Sequence, residues 1–153
     1  MYITVAGASV CGTELLDLAY LVGAEIAKRG HVLVCGGLGG VMDAAARGVH
    51  DQDGMSIGIL PDAERTRASR WLTVSIPTAM GHARNTLVAL SGDAIIAVGG
   101  SYGTLSEIAL GLKMGKPVIG LETWELERRE EERPRLVKAR TALEAVDLAE
   151  QLQ

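Results

Sequence analysis

Residues 94–121 read "AIIAVGGSYGTLSEIALGLKMGKPVIGL", and their order decides the fold. "AIIAV" is a short run, rich in β-branched residues and apolar on both faces, as a strand buried inside a parallel sheet reads. A glycine-rich turn follows, then a helical period over 104–114 that Gly115 closes and Pro117 cannot continue. "PVIGL" opens another buried strand. Strand, helix and strand in that order imply a right-handed crossover and parallel pairing.

Working outward, "ITVAG", "HVLVCGG", "SIGILP" and "LTVSIP" are further strand-length runs. Between the first two lies "GTELLDLAYLVGAEIAKRG" (12–30), whose Leu15, Leu18, Ala19, Val22 and Ile26 share one helical stripe. Lys28 and Arg29 sit in its last turn and Gly30 is placed to cap it. Further helices are predicted near 40–49 and 81–91, and Thr141-x-x-Glu144 is a capping box for a terminal helix from about Ala142. The charged stretch "ETWELERREEERPR" (122–135) reads as a solvated connection. The prediction is one Rossmann-like α/β domain over 1–153: a doubly wound parallel sheet with helices on both faces.

Composition narrows the function. The chain has 153 residues, a formal charge of −4 and no long basic stripe, so nucleic acid is not expected as a partner. No apolar run is long enough to cross a bilayer and "MYITVAGAS" has no signal-peptide pattern, which makes the cytoplasm the expected location. Cys11 and Cys35 form no disulfide framework and, lacking metal-ligand spacing, no metal site. The unusual feature is 19 glycines against no phenylalanine.

Three glycine clusters follow predicted strands: "AGASVCGT" (6–13), "CGGLGGVM" (35–42) and "VGGSYGT" (98–104). In a doubly wound sheet, ligands bind outside the carboxyl ends of the strands, where strand order reverses. Backbone N–H groups of three such turns can surround an anion, although each turn alone is also explained by tight packing. Gly7 to Thr13 has P-loop spacing with threonine in place of the lysine, which argues against triphosphate hydrolysis. Met42 stands where a third glycine would complete a dinucleotide fingerprint after Gly37 and Gly39. A ligand with a single phosphate fits best.

A helix starting near His82 puts Arg84 and Asn85 in its first turn at the same sheet edge. Arginine offers a planar fork suited to phosphate, though by position alone Arg84 also reads as a surface residue. His82 reads as a capping or surface group, and His31 and His50 lie at element ends far from the glycine turns. The loop 61–71, carrying Arg65, Arg67 and Arg70, is either a cover for the cleft or an ordinary connection. Glu107 has two readings. Thr104-x-x-Glu107 is a capping box, which needs no ligand; alternatively the 99–104 turn takes a phosphate while Glu107 faces the sugar beyond it.

"VAGAS", "GGLGGVMDAAARG" and "ARNTLVALSGDAIIAVGGSYGTLSEIALGLKMGKPVIGL" together resemble the Lonely Guy (LOG) superfamily, often mislabelled as lysine decarboxylases, over about residues 3–121. Within it the chain is most similar to the branch that includes molybdenum cofactor carrier proteins. The resemblance implies a Rossmann-like homodimer. The family's enzymes cleave the N-glycosidic bond of nucleoside 5′-monophosphates, and their catalytic arginine and glutamate match Arg84 and Glu107. Two departures, Val98 where the enzymes have proline and Asn85 where they have lysine, look like the carrier branch.

Two functions therefore stand side by side. One is a carrier or binding protein for a phosphorylated pterin or nucleotide, with molybdenum cofactor or a nucleoside monophosphate as ligand and no cofactor required for folding. The other is a phosphoribohydrolase using Arg84 and Glu107. The ligand-binding set expected in either case is Gly7 and Ser9 in the first turn, and Gly36, Gly37, Gly39 and Met42 in the second. Arg84 and Asn85 join them, with Gly99, Gly100, Ser101, Tyr102, Gly103, Thr104 and Glu107 in the third. Tyr102 is the aromatic residue near that motif able to stack on a ring, and is equally a simple turn residue.

Overall fold

The computed structural model describes residues 1–126 and 136–153. The charged stretch read as a solvated connection falls mostly outside the described residues. The elements run β1 (Tyr2–Gly7), α1 (Thr13–Lys28), β2 (Val32–Cys35), α2 (Val41–His50), β3 (Met55–Leu60) and β4 (Val74–Pro77). A 3₁₀ turn (Gly81–Arg84) then leads into α3 (Asn85–Ser91), β5 (Ala94–Val98), α4 (Tyr102–Lys113), β6 (Val118–Leu121), β7 (Leu136–Lys138) and α5 (Ala142–Gln151).

The strands form one sheet, β4-β3-β2-β1-β5-β6-β7, with every pair parallel. This is the doubly wound Rossmann-like α/β architecture the alternating pattern predicts. From β1 the chain winds outward through β2 to β4, then returns to place β5 against the other edge of β1. The order therefore reverses between β1 and β5, whose register sets Gly7 beside Val98. A seventh strand, β7, joins the six predicted, because three residues carry too little periodicity to be read as a strand.

Helices α1, α2 and α5 cover one face of the sheet over a core of Ile3, Val5, Val22, Ile26, Leu33 and Ile96. On the other face α3 and α4 cover a core of Ala6, Ala89, Ile95, Ala97, Ile108 and Leu112. Burying an isoleucine of this kind contributes about 1.5–3 kcal/mol, so the apolar strands hold the sheet between its layers. Helices α1 and α4 both end in a left-handed glycine, Gly30 and Gly115, whose N–H and that of the next residue return to carbonyls of the last turn. At α5, Thr141 accepts from the N–H of Glu144 as predicted, and Glu144 takes the N–H of Arg140. No described helix is long and apolar enough to cross a membrane.

Candidate ligand-binding site

Because β1 and β5 are neighbours, the turns that follow them open side by side, and the turn after β2 adjoins the first. The N–H of Val41 donates to the carbonyl of Ala8 across 3.0 Å, joining the β1 and β2 turns. A side chain at Gly40 would fall on the backbone of Ala8 and Ser9, one at Gly7 on Val41, and Gly39 lies against Ser9. Gly36 meets Arg84 and Met42, where an added Cβ would stand 2.5 Å from Arg84 Nη2 and 2.7 Å from Met42 Sδ. Gly37 has a different duty: its carbonyl accepts from the N–H of Ser69, which fastens the 61–71 loop to the β2 turn. Within that loop Arg67 pairs with Asp62, Arg65 donates to the Ser75 carbonyl, and Arg70 lies over the ring of Trp71.

The third turn differs from its sequence reading. Gly99 and Gly100 have φ of 55° and 122°, so the chain turns through them and Ser101 is already extended as the N-cap of α4. The helix begins at Tyr102, ahead of the predicted 104. Thr104 and Glu107 therefore do not form a capping box: Thr104 is inside the first turn and Glu107 lies in the second. Left-handed conformation at two successive residues, which glycine alone adopts freely, ended the turn earlier than the Thr-x-x-Glu pattern implies.

Two consequences follow for chemistry. Among the described residues no side chain caps the N–H groups at the start of α4, so the positive end of the helix faces the turn with its donors unspent there. Thr104 is 2% exposed, and its Oγ1 has no hydrogen-bond partner among the described residues. A buried hydroxyl without a partner costs about 1–3 kcal/mol, which a ligand oxygen there would offset. Gly103 points the same way. It lies inside a helix, where glycine costs about 1 kcal/mol against alanine, yet a Cβ there would meet nothing within 4 Å.

Arg84 is buried, and its surface reading is corrected. It closes the 3₁₀ turn, Nη1 donating to Asn85 Oδ1 at 2.7 Å and to Glu107 Oε1 at 3.2 Å, with Nη2 directed to the Gly36 carbonyl at 3.4 Å. Its Nε has no partner among the described residues. Burial pushes the Glu107 carboxyl up to about 7 against the opposing pull of Arg84. At neutral pH this is a carboxyl able to hold or release a proton. Behind it, Cys35 at the end of β2 is fully buried, and burial raises its thiol to about 12.

Tyr102 is 82% exposed. It is not the lone aromatic residue at the motif, because Trp124 stands with its ring 5.8 Å away and donates its indole N–H to the Ser101 carbonyl. Trp124 lies beyond β6 and no local pattern ties it to the turn; only the β5–β6 pairing brings it there. Ser106, also absent from the expected set, accepts from Asn85 Nδ2. His82 is exposed in the 3₁₀ turn. Among the described residues no group of three or more histidine, cysteine, aspartate or glutamate side chains is placed to hold a metal ion.

Residues 1–150 match the model of the SLOG cluster4 family. The chain belongs to the SLOG cluster4 family. An uncharacterised protein of Archaeoglobus fulgidus is 48% identical to this SLOG chain over 122 residues, 80% of each. The cytokinin riboside 5′-monophosphate phosphoribohydrolase LOG of Oryza sativa subsp. japonica is 36% identical over 95 residues, 60% of the SLOG chain and 39% of the enzyme. The SLOG chain thus spans about two-fifths of that enzyme. Among solved structures, the molybdenum cofactor binding protein of Rippkaea orientalis superposes with a TM-score of 0.89 at 35% identity, covering 99% of this chain and 96% of that one. The molybdenum cofactor carrier protein of Chlamydomonas reinhardtii gives 0.85 at 32% identity, with 99% and 97% covered.

Proposed function

We propose that this SLOG chain binds a small ligand carrying one phosphate beside a planar ring, a phosphorylated pterin or a nucleoside monophosphate, and acts as its carrier. The start of α4 carries the reading: uncapped N–H groups, a helical glycine without a packing reason, and the unpartnered Thr104 hydroxyl lie together beyond β5. Phosphate oxygens accept from such N–H groups and gain from the helix dipole. Thr104 donates its hydroxyl to the same group, and Arg84 with Glu107 meets the part of the ligand next to it. Tyr102 and Trp124 offer aromatic surface beside the turn. The likeness to two molybdenum cofactor proteins over nearly their full length favours the pterin, which is cargo in this reading. The carrier works in the cytoplasm as a homodimer, which light scattering on the purified protein tests.

The buried Arg84–Glu107 pair favours a second reading, phosphoribohydrolase activity. Cleaving the bond from base to ribose builds positive charge at the anomeric carbon; an ionised Glu107 beside it stabilises that charge or orients the water whose oxygen bonds that carbon while the base departs with the water's proton. Arg84 keeps the sugar in register. One experiment separates the readings. Purified protein is titrated with a phosphorylated pterin and with AMP by calorimetry, and each mixture is then assayed for free base by chromatography. Binding without base release supports the carrier; base release lost in Glu107→Gln supports the hydrolase; no binding of either compound overturns both.

A further inference from the structure

The sequence places Asn85 among the ligand contacts, but both of its side-chain polar atoms are engaged inside the protein. It is the first residue of α3, and asparagine near a helix start commonly caps its own helix. Here no side chain among the described residues caps α3. Instead Asn85 Oδ1 accepts from Arg84 Nη1 at 2.7 Å, and Nδ2 donates to Ser106 Oγ at 2.8 Å, which in turn donates to the Gly103 carbonyl at 2.7 Å. A continuous hydrogen-bonded path thus runs from Arg84 to the first turn of α4. Asn85 is itself buried, so water does not substitute for it.

Arg84 Nη1 divides its two hydrogens between Asn85 and Glu107, and the shorter bond is the one to the neutral amide. A charged carboxylate is ordinarily the stronger acceptor and draws in the shorter contact. We propose that Asn85 is a positioning residue: it holds Arg84 short of a full ion pair with Glu107 and keeps both in register with the turn at Gly103. Glu107 is thereby left with one longer contact. The charged group that acts on it is Arg84, from the 3₁₀ turn; Cys35, from β2, lies within range of the carboxylate's field, but its thiol stays neutral at physiological pH and does not act back on it. Nothing else among the described residues opposes the effect of burial, so Asn85 decides how far Arg84 offsets it.

The inference concerns the ligand-free site and is tested without ligand, separately from the proposed binding function. The Glu107 carboxyl is followed by carbon-13 NMR across pH, with Glu107→Gln identifying its signal. Asn85→Leu keeps the site filled and dry while removing the acceptor, so Nη1 turns to Glu107 and the titration midpoint falls by at least one pH unit. Asn85→Asp keeps an acceptor on Arg84 and adds a like charge, so the midpoint rises. Opposite shifts are the expected result, since general loosening of the site moves both variants in one direction. Ser106→Ala, which cuts the path while leaving both charged groups in place, shifts the midpoint downward by less than Asn85→Leu. Equal midpoints in wild type and these folded variants, or same-sign shifts at position 85, overturn the inference. If Asn85→Leu does not fold, the Asn85→Asp and Ser106→Ala shifts decide it. Failure of AMP or a phosphorylated pterin to bind the wild type leaves this result standing and removes only the binding proposal.

Discussion

Arg84 Nη1 lies 3.2 Å from Glu107 Oε1, and both side chains are 8% exposed. The pair links the end of the 3₁₀ turn to the second turn of α4, 23 residues apart in the chain. Two effects compete at Glu107. The arginine favours the carboxylate and burial favours the acid; the carboxyl rises from its ordinary 4.5 to about 7, so burial is the larger. The site is a partly compensated buried charge, whose state depends on pH.

Stability should follow that state. Glu107 titrates higher in the folded chain than in the unfolded one, so the folded state binds the extra proton. Its favourable contribution is complete below about 4.5 and is lost as pH rises through about 7. Relative to Glu107→Gln, the wild type is expected to lose on the order of 3 kcal/mol between those limits and mildly alkaline pH. Urea unfolding of both proteins across pH measures the difference, and parallel curves would refute it.

Removing the cation should cost more at high pH than at low. Arg84→Met leaves Glu107 buried without its counter-charge, a change that costs about 3–5 kcal/mol when the carboxyl is ionised. Below the titration the acid is neutral and the loss shrinks toward that of the hydrogen bonds alone. Thermal melts of Arg84→Met at either side of neutrality check this.

Gly103→Ala separates folding from binding. Space is open around that position, and alanine in a helix gains about 1 kcal/mol over glycine. The variant should be more stable in urea. If the turn holds phosphate as proposed, its affinity for AMP or the phosphorylated pterin falls at least tenfold; unchanged affinity would remove Gly103 from the site.

Thr104→Val replaces the buried, unpartnered hydroxyl with a methyl of similar size. Removing an unsatisfied polar group is neutral or stabilising by about 1 kcal/mol in the free protein. Affinity for the phosphorylated ligand should drop about tenfold, equivalent to about 1.4 kcal/mol. A destabilised Thr104→Val would mean that the hydroxyl has a protein partner.

Gly36→Ala and Gly12→Ala form a matched pair. The first places a Cβ against Arg84 and Met42, while the second meets nothing within 4 Å at a φ of −72°. Calorimetry should show ligand binding lost in Gly36→Ala and retained in Gly12→Ala. Equal effects would show that the contact between Gly36 and Arg84 is not needed for binding.

The sequence by itself determined the elements other than β7, and the end of the sheet at which they gather glycine. "AIIAV" and "PVIGL" are apolar on both faces because both faces are covered, and Gly30 and Gly115 mark helix ends because glycine readily takes the left-handed turn that each end requires. Those signals are local, carried by residues within a turn or two of one another. Tertiary structure decided the rest. Parallel winding set β5 beside β1 and β6 beside β5, which brought Trp124 to Tyr102 and carried Arg84 to Glu107. The Tyr102–Trp124 spacing is not periodic and no pattern in the chain announces it, while the meeting of Arg84 with Glu107 is expected only through the family resemblance. The Thr104-x-x-Glu107 segment shows the limit most clearly: it has the letters of a capping box, but the left-handed glycines start the helix earlier and burial turns the glutamate toward an arginine. A carboxylate's role depends on the water around it and the charge it meets, and both are set only when distant parts of the chain close over it.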